Sequence, residues 1–473
     1  MSENGYLQSF VASNRESKNE YRDSGFNEED SYNNLKKTST DKLNKINSFN
    51  ISSSSDRNSN KEKNGSSNKF NEFICIINIL SSTLGGGALV FPYILYQVGL
   101  ITSLILFIIV SISVYYSLDL LRRFVVNSKL FSFSIITQTT LGNLWLKISA
   151  FSAFLFYMAC IINYLVILYN FMNSMLDFIV EGWGKIIYFL ISCSIEIILC
   201  IFTNKISKMH YLSLIVVFIF FIIIIVLITK SIIVFTNGQY KSFSLFTIED
   251  HNISNTNWNT FLILMAKIIE FFYGFIYHST FPTLLSRLNN IDDRSSKKVQ
   301  NISYILLNVI YIFFLLFGFS FYDENSDFIF GKSIDISIYF LEILFKCILA
   351  ILFMTLIPIR YIVIRDNYTS LIGKEELPLL YEFLITSICL IINNLVVFFT
   401  GDSKSFISKL IHYFGGVLGV FISFVLPVIS YIAINEKGNL RSIFGYIIVG
   451  IFIVIGFFSV FYNFKSEDDG ITN

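Results

Sequence analysis

Ser81-Ser82-Thr83-Leu84-Gly85-Gly86-Gly87-Ala88 lies at the centre of an apolar segment that runs from Asn71 to Tyr96, with Pro92 in its second half. A helix needs about 20 apolar residues to cross a bilayer, because lipid offers no partners to free backbone N–H and C=O groups. Each glycine costs about 1 kcal/mol of helix propensity against alanine, so three in a row at mid-depth require a reason. Two readings are open. Small residues let two helices pack closely. Alternatively the backbone unwinds, which is tolerated at that depth only where it is buried in protein or lines a cavity. On the second reading the break is one wall of a binding site.

The rest of the chain supplies the setting. Over 473 residues, 54% are hydrophobic, 17% aromatic and 15% charged, with a mean hydropathy of +0.62. Such a composition excludes an ordinary soluble domain and predicts an all-α polytopic membrane protein. A net charge of +1 leaves no footprint for a nucleic acid. The six cysteines, Cys75, Cys160, Cys193, Cys200, Cys347 and Cys389, all fall inside apolar segments, at spacings that suit neither a disulfide framework nor a zinc site. They read as small buried hydrophobes.

Residues 1–70 are rich in Ser, Asn, Lys and Glu and carry too little apolar surface to offset the entropy of ordering, so a disordered tail is expected there. The transmembrane domain is expected over 71–464, followed by a short tail at 465–473. Within it we count about eleven apolar segments, at residues 72–96, 99–121, 147–171, 185–203, 211–235, 258–282, 300–321, 336–359, 377–400, 407–434 and 441–463, hereafter spans 1 to 11. With the N-terminus in the cytoplasm, the cytoplasmic loops hold about twice as many Lys and Arg as the opposite loops, Arg122 and Arg360 among them. That bias predicts an N-terminus inside. Asn252-Ile253-Ser254, in the long loop before span 6, is a weak glycosylation triplet.

Span 6 repeats the logic of span 1 five segments later. In Glu270-Phe271-Phe272-Tyr273-Gly274-Phe275-Ile276-Tyr277-His278-Ser279-Thr280-Phe281-Pro282 a mid-segment glycine again precedes a downstream proline. Paired interrupted helices at corresponding positions of two halves are a sequence pointer to a transporter binding site. Spans 1–5 and 6–10 then form two inverted five-helix repeats, with span 11 appended.

These features resemble the amino acid/auxin permease family of the amino acid/polyamine/organocation superfamily. The resemblance is carried by Leu84 to Tyr93 with Gly99 in span 1, Tyr164-Leu165-Val166-Ile167 in span 3, and Tyr273-Gly274-Phe275 with His278 and Pro282 in span 6. It continues in Ile357-Pro358-Ile359-Arg360 of span 8, and in Gly415-Gly416-Val417-Leu418-Gly419 with Leu426-Pro427 of span 10. It implies a LeuT-type fold and secondary transport of amino acids, the substrate lying between spans 1 and 6 and backed by spans 3, 8 and 10. On that basis the substrate site comprises Thr83, Leu84, Gly85, Gly86, Gly87, Tyr164, Phe272, Tyr273 and Gly274. An α-carboxylate suits free N–H groups near Gly85–Gly87. Carbonyls near Phe272 and Tyr273 suit the ammonium, and Gly274 would set how large a side chain fits.

The coupling ion is less well drawn. Sodium-coupled members use an Asn just before the span 1 glycines and a span 8 hydroxyl; here the aligned positions hold Ser81 and Ile351, with Thr355 one turn on. Ser81, Thr355 and the titratable His278 are therefore the coupling candidates, for Na+ or H+. Lys267 and Glu270, three apart, read as an ion pair on one helix face, Glu196 as a hydrogen-bonded carboxyl, and Asp119 with Arg122 and Arg123 as a boundary cluster snorkelling to water. His412 carries little signal, lying near a loop. No nucleophile–base constellation, metal-ligand spacing or phosphate loop is present, so an enzyme is not expected. An amino acid sensor on the same fold, or a carrier of another small zwitterion or organic cation, stays open as an alternative, as do the oligomeric state and the choice between plasma membrane and a vacuolar or lysosome-like membrane.

Overall fold

The computed structural model describes residues 65–179, 184–202, 209–236, 245, 257–289, 291–321, 339–373, 377–400, 405–434 and 440–468, which are helical without a strand. Most of the expected N-terminal tail, Asn252 and the last five residues lie outside them. Among the described residues nine helices are long and apolar enough to cross a bilayer, and span 1 adds a tenth as a bent pair, Asn71–Thr83 with Gly86–Val98, turned by 52°. Span 6 completes the expected set. Its helix Asn257–Tyr273 has 17 residues, halts at Gly274 and resumes as Phe281–Leu285, so neither piece crosses alone.

Both interruptions have local causes. Leu84 still closes an α-turn onto the Leu80 carbonyl at 2.8 Å, but Gly85 is extended, and a 3-10 turn over Gly86–Val90 leads into helix Phe91–Val98. Pro92 sits in the first turn of that resumed helix, where no N–H is required, and Pro282 does the same in Phe281–Leu285. Gly99, with φ +78°, ends span 1 in a conformation that a side chain would strain.

The broken spans form the centre of the molecule. Residues 77–92 and 266–282 are buried on every helix face. By contrast, span 2 presents Ile105, Ile108 and Ile112 outward, span 5 presents Phe218 and Ile225, and span 7 presents Ile305 and Val309. Exposed rows of this kind, at helical spacing, suit lipid. Span 10 is wound wide, with π-helical turns over Ile411–Gly419 and Phe421–Val425, a distortion frequent at functional sites.

The structure revises three expectations. Span 8 does not end at residue 359: helix Tyr339–Ile372 runs on through Pro358, carrying Arg360 into the protein rather than into a loop. Arg122 does not snorkel to water. Its side chain is 0% exposed and bridges Asp119 at 2.8 Å and Asp293 at 2.6 Å, because the end of span 2 is covered by the start of the helix Asp293–Phe317, which extends span 7 toward its N-terminus. A short helix, Phe133–Leu141, precedes span 3 and is absent from the sequence reading.

Candidate functional site

The glycines of span 1 owe their place to close contacts. A Cβ on Gly87 would stand 2.6 Å from the Gly274 Cα and 3.0 Å from its nitrogen, so the two breaks meet backbone against backbone. A Cβ on Gly85 would collide with the Tyr164 hydroxyl, and one on Gly86 would lie 3.2 Å from Ile167 and 3.4 Å from the Asn163 amide nitrogen. The packing and unwinding readings therefore hold together: the unwound backbone is also where spans 1, 3 and 6 touch. The direction in which Gly274 lacks a side chain is filled by Phe91, whose ring edge would be 2.8 Å from a Cβ there.

Unwinding frees backbone groups. Among the described residues, the amides of Gly85, Gly86 and Gly87 donate to no carbonyl, and the Leu84 and Tyr273 carbonyls accept no backbone amide. Phe272, expected to offer its carbonyl, instead accepts from Phe275 N at 2.9 Å. Tyr311 of span 7 ties the two breaks together: its hydroxyl lies 3.2 Å from the Thr83 carbonyl and 2.5 Å from the Gly274 carbonyl. The ring is held in place by edge contacts to Phe91 and Phe275, each at 4.9 Å. Tyr273 packs against Gly415 and Phe156 and donates to Cys160 Sγ at 3.4 Å, whereas Phe272 turns toward Phe424 and Phe452.

On the far side of Tyr164 stands Arg360, 5% exposed, its Nε donating to the Tyr164 hydroxyl at 3.1 Å. Its Nη1 is buried without an acceptor, and no carboxylate pairs with it among the described residues. The rings of Tyr157 and Tyr164 lie 5.6 and 5.9 Å from the guanidinium. Cation–π attraction contributes about 0.5–2 kcal/mol, whereas burying a charge costs several kcal/mol. The surplus positive charge beside the break is thus uncompensated by the described protein.

The coupling candidates fare unevenly. Ser81 is buried and its hydroxyl donates to the Asn78 carbonyl at 3.1 Å; Thr355 donates to Leu352 at 2.8 Å. Each hydroxyl donates its hydrogen within its own helix, which leaves the oxygen lone pairs of Ser81 and Thr355 to accept or to ligate. Ile351 is 53% exposed and faces outward. His278 is fully buried within the span 6 break, with neither ring nitrogen partnered among the described residues, beside Ser279, which donates to Tyr157 at 2.9 Å. Asn78 and Asn163 are likewise buried with unpartnered side-chain amides. Each stands among apolar neighbours, Ile77 and Ile79 beside Asn78 and Ile162 and Tyr164 beside Asn163.

The Lys267–Glu270 pair forms at 2.7 Å, deep in the protein. His412, read as a loop-side residue, is instead fully buried, with Nε2 3.2 Å from the same Glu270 oxygen and Nδ1 2.7 Å from Ser459 Oγ. Lys267 also lies 4.7 Å from the centre of the Tyr93 ring, so a polar cluster joins spans 1, 6, 10 and 11. Peripheral Glu196 accepts from Asn394 of span 9 at 2.9 Å, an interhelical bond of the kind expected.

A family model described as transmembrane amino acid transporter protein matches residues 72–465. Among curated proteins, the human sodium-coupled neutral amino acid transporter 4 is 27% identical over 199 residues, 39% of this chain and 34% of that protein. Its counterpart from Pongo abelii is 26% identical over 195 residues, with the same shares. The match thus spans about a third of the length of these relatives. Among solved structures, a manganese transporter from Eremococcus coleocola in complex with an aromatic bis-isothiourea compound superposes with a TM-score of 0.53 at 15% identity, covering 87% of this chain and 91% of that one. A histidine-to-alanine mutant of the same transporter gives 0.52 at 14%, covering 88% and 91%. At that identity the likeness speaks for the fold alone, which is LeuT-like.

Proposed function

Since the chain belongs to the transmembrane amino acid transporter family, we propose that it carries amino acids across a membrane by alternating access, holding the substrate between the broken spans 1 and 6. The observation that carries this reading is the apposition of the two breaks, Gly87 on Gly274, with Tyr311 bonded to a carbonyl of each. Unwound backbone at membrane depth supplies donors and acceptors to a ligand. The free amides of Gly85–Gly87 suit the α-carboxylate and the Tyr273 carbonyl suits the α-ammonium.

The driving ion follows from a single experiment. Sodium coupling is in the names of the curated relatives, while Ser81 and Ile351 depart from the residues that role uses and His278 offers a titratable group. The test is uptake of radiolabelled amino acids into liposomes holding the full chain, with pH and sodium varied independently. Saturable uptake of at least one amino acid is expected; none, for any of them, would end the reading. The N-terminus is proposed to be cytoplasmic, since the Lys and Arg bias of the loops persists after the buried Arg122 and Arg360 are set aside.

A further inference from the structure

Arg360 is a buried cation behind Tyr164, the residue that packs on Gly85 of the span 1 break, and it has no counter-charge among the described residues. Other donors converge on the same place. Asn163 is fully buried, and its unpartnered Nδ2 stands 3.4 Å from the position of a Cβ on Gly86. Tyr164 spends a lone pair on Arg360 Nε, which leaves its O–H to donate, and its oxygen packs directly on Gly85. Beside them lie the free amides of Gly85–Gly87. Spans 1, 3 and 8 thus present N–H and O–H groups, one of them charged, with no acceptor carboxylate among them.

Such a set has one chemical complement. A cation would be repelled by the guanidinium, and a neutral amide, although Asn163 Oδ1 and the Leu84 carbonyl could accept from it, would leave the buried positive charge unpaired. A carboxylate brings only acceptors and the missing negative charge. We propose that Arg360, with Tyr164 and Asn163, reads the free carboxylate of the transported solute, so that amino acids are accepted and their carboxamides and decarboxylated amines are rejected. This rests on the transport reading above. It adds a residue outside the two broken helices, and it makes charge the basis of the discrimination.

The test uses the full-length chain in lipid nanodiscs as wild type, Arg360→Gln, Arg360→Lys and Tyr164→Phe, with circular dichroism and gel filtration to confirm folding. Thermal stabilisation is titrated with the twenty amino acids, their carboxamides and matching amines, and with propionate as a bare carboxylate. Wild type should prefer an amino acid over its carboxamide by about 10- to 100-fold, the range of a charge-assisted hydrogen bond. In Arg360→Gln that ratio should collapse toward 1, in Arg360→Lys persist in part, and in Tyr164→Phe fall, the last serving if Arg360→Gln does not fold. Folded Arg360→Gln or Tyr164→Phe with the full wild-type ratio overturns the proposal and leaves amino acid transport standing. Stabilisation of wild type by propionate, lost in Arg360→Gln, with no amino acid bound keeps the anion site and refutes the transport reading. A wild type stabilised by none of the probes refutes both.

Discussion

Gly87→Ala is the sharpest test of the apposed breaks. The added methyl would start 2.6 Å from the Gly274 Cα and 3.0 Å from its nitrogen, against about 3.5–4.0 Å for an ordinary carbon contact. Both obstacles are backbone, so no rotamer change relieves them, and spans 1 and 6 must part by about 1 Å. Overpacking of this kind costs about 1–3 kcal/mol. The same opening carries the 3.2 Å Tyr311–Thr83 bond out of hydrogen-bond range, at about 1 kcal/mol more. If about half of that total falls on the substrate-holding state, uptake efficiency drops on the order of 10-fold. The control is Gly450→Ala, where nothing lies within 4 Å of the new methyl and helix propensity improves by about 1 kcal/mol. Liposome uptake, normalised to protein incorporated, measures both. Gly87→Ala with the kinetics of wild type would refute the claim that the breaks meet there.

Tyr311→Phe keeps the ring contacts and removes the hydroxyl shared by Thr83 and Gly274; it should lower thermal stability by about 1–3 kcal/mol and weaken substrate affinity, both read in one ligand-titrated melting series. Lys267→Met alone should destabilise by about 3–5 kcal/mol, because Glu270 would stay buried without its cation, whereas Lys267→Met with Glu270→Leu should recover much of the loss; a double variant no better than the single one would contradict the ion-pair account. Arg122→Met should cost less, about 1–3 kcal/mol, because Asp119 keeps its 2.7 Å bridge to Arg123 and Asp293 is exposed, and an unchanged melting temperature would return Arg122 to the surface role its sequence position suggests.

How much of this was legible beforehand depends on the reach of each signal. Gly85–Gly87 with Pro92, and Gly274 with Pro282, announce their breaks within about two helical turns, and the breaks stand at those glycines. The Lys267–Glu270 pair is likewise a matter of three-residue spacing. Arg360 is legible as a family motif residue, but an apolar segment that ends at residue 359 places it in a loop. The helix instead passes through Pro358, with span 3 packed along it and the Tyr164 and Phe353 rings tilted by 44° at 5.7 Å. For His412, proximity to a loop in sequence says nothing about which helices cover it.

The amino-acid sequence by itself determined the membrane class, the helical segments and the two interruptions, since apolar length, glycine and proline act through the local backbone and its exclusion from lipid. Tertiary structure alone decided that Gly87 rests on Gly274, that Tyr311 bonds to both breaks, and that Arg360 stands without a described counter-charge behind Tyr164. Those partners lie tens to hundreds of residues apart. Helical periodicity tells which face a residue occupies, but only the packing of one helix on another tells what that face meets.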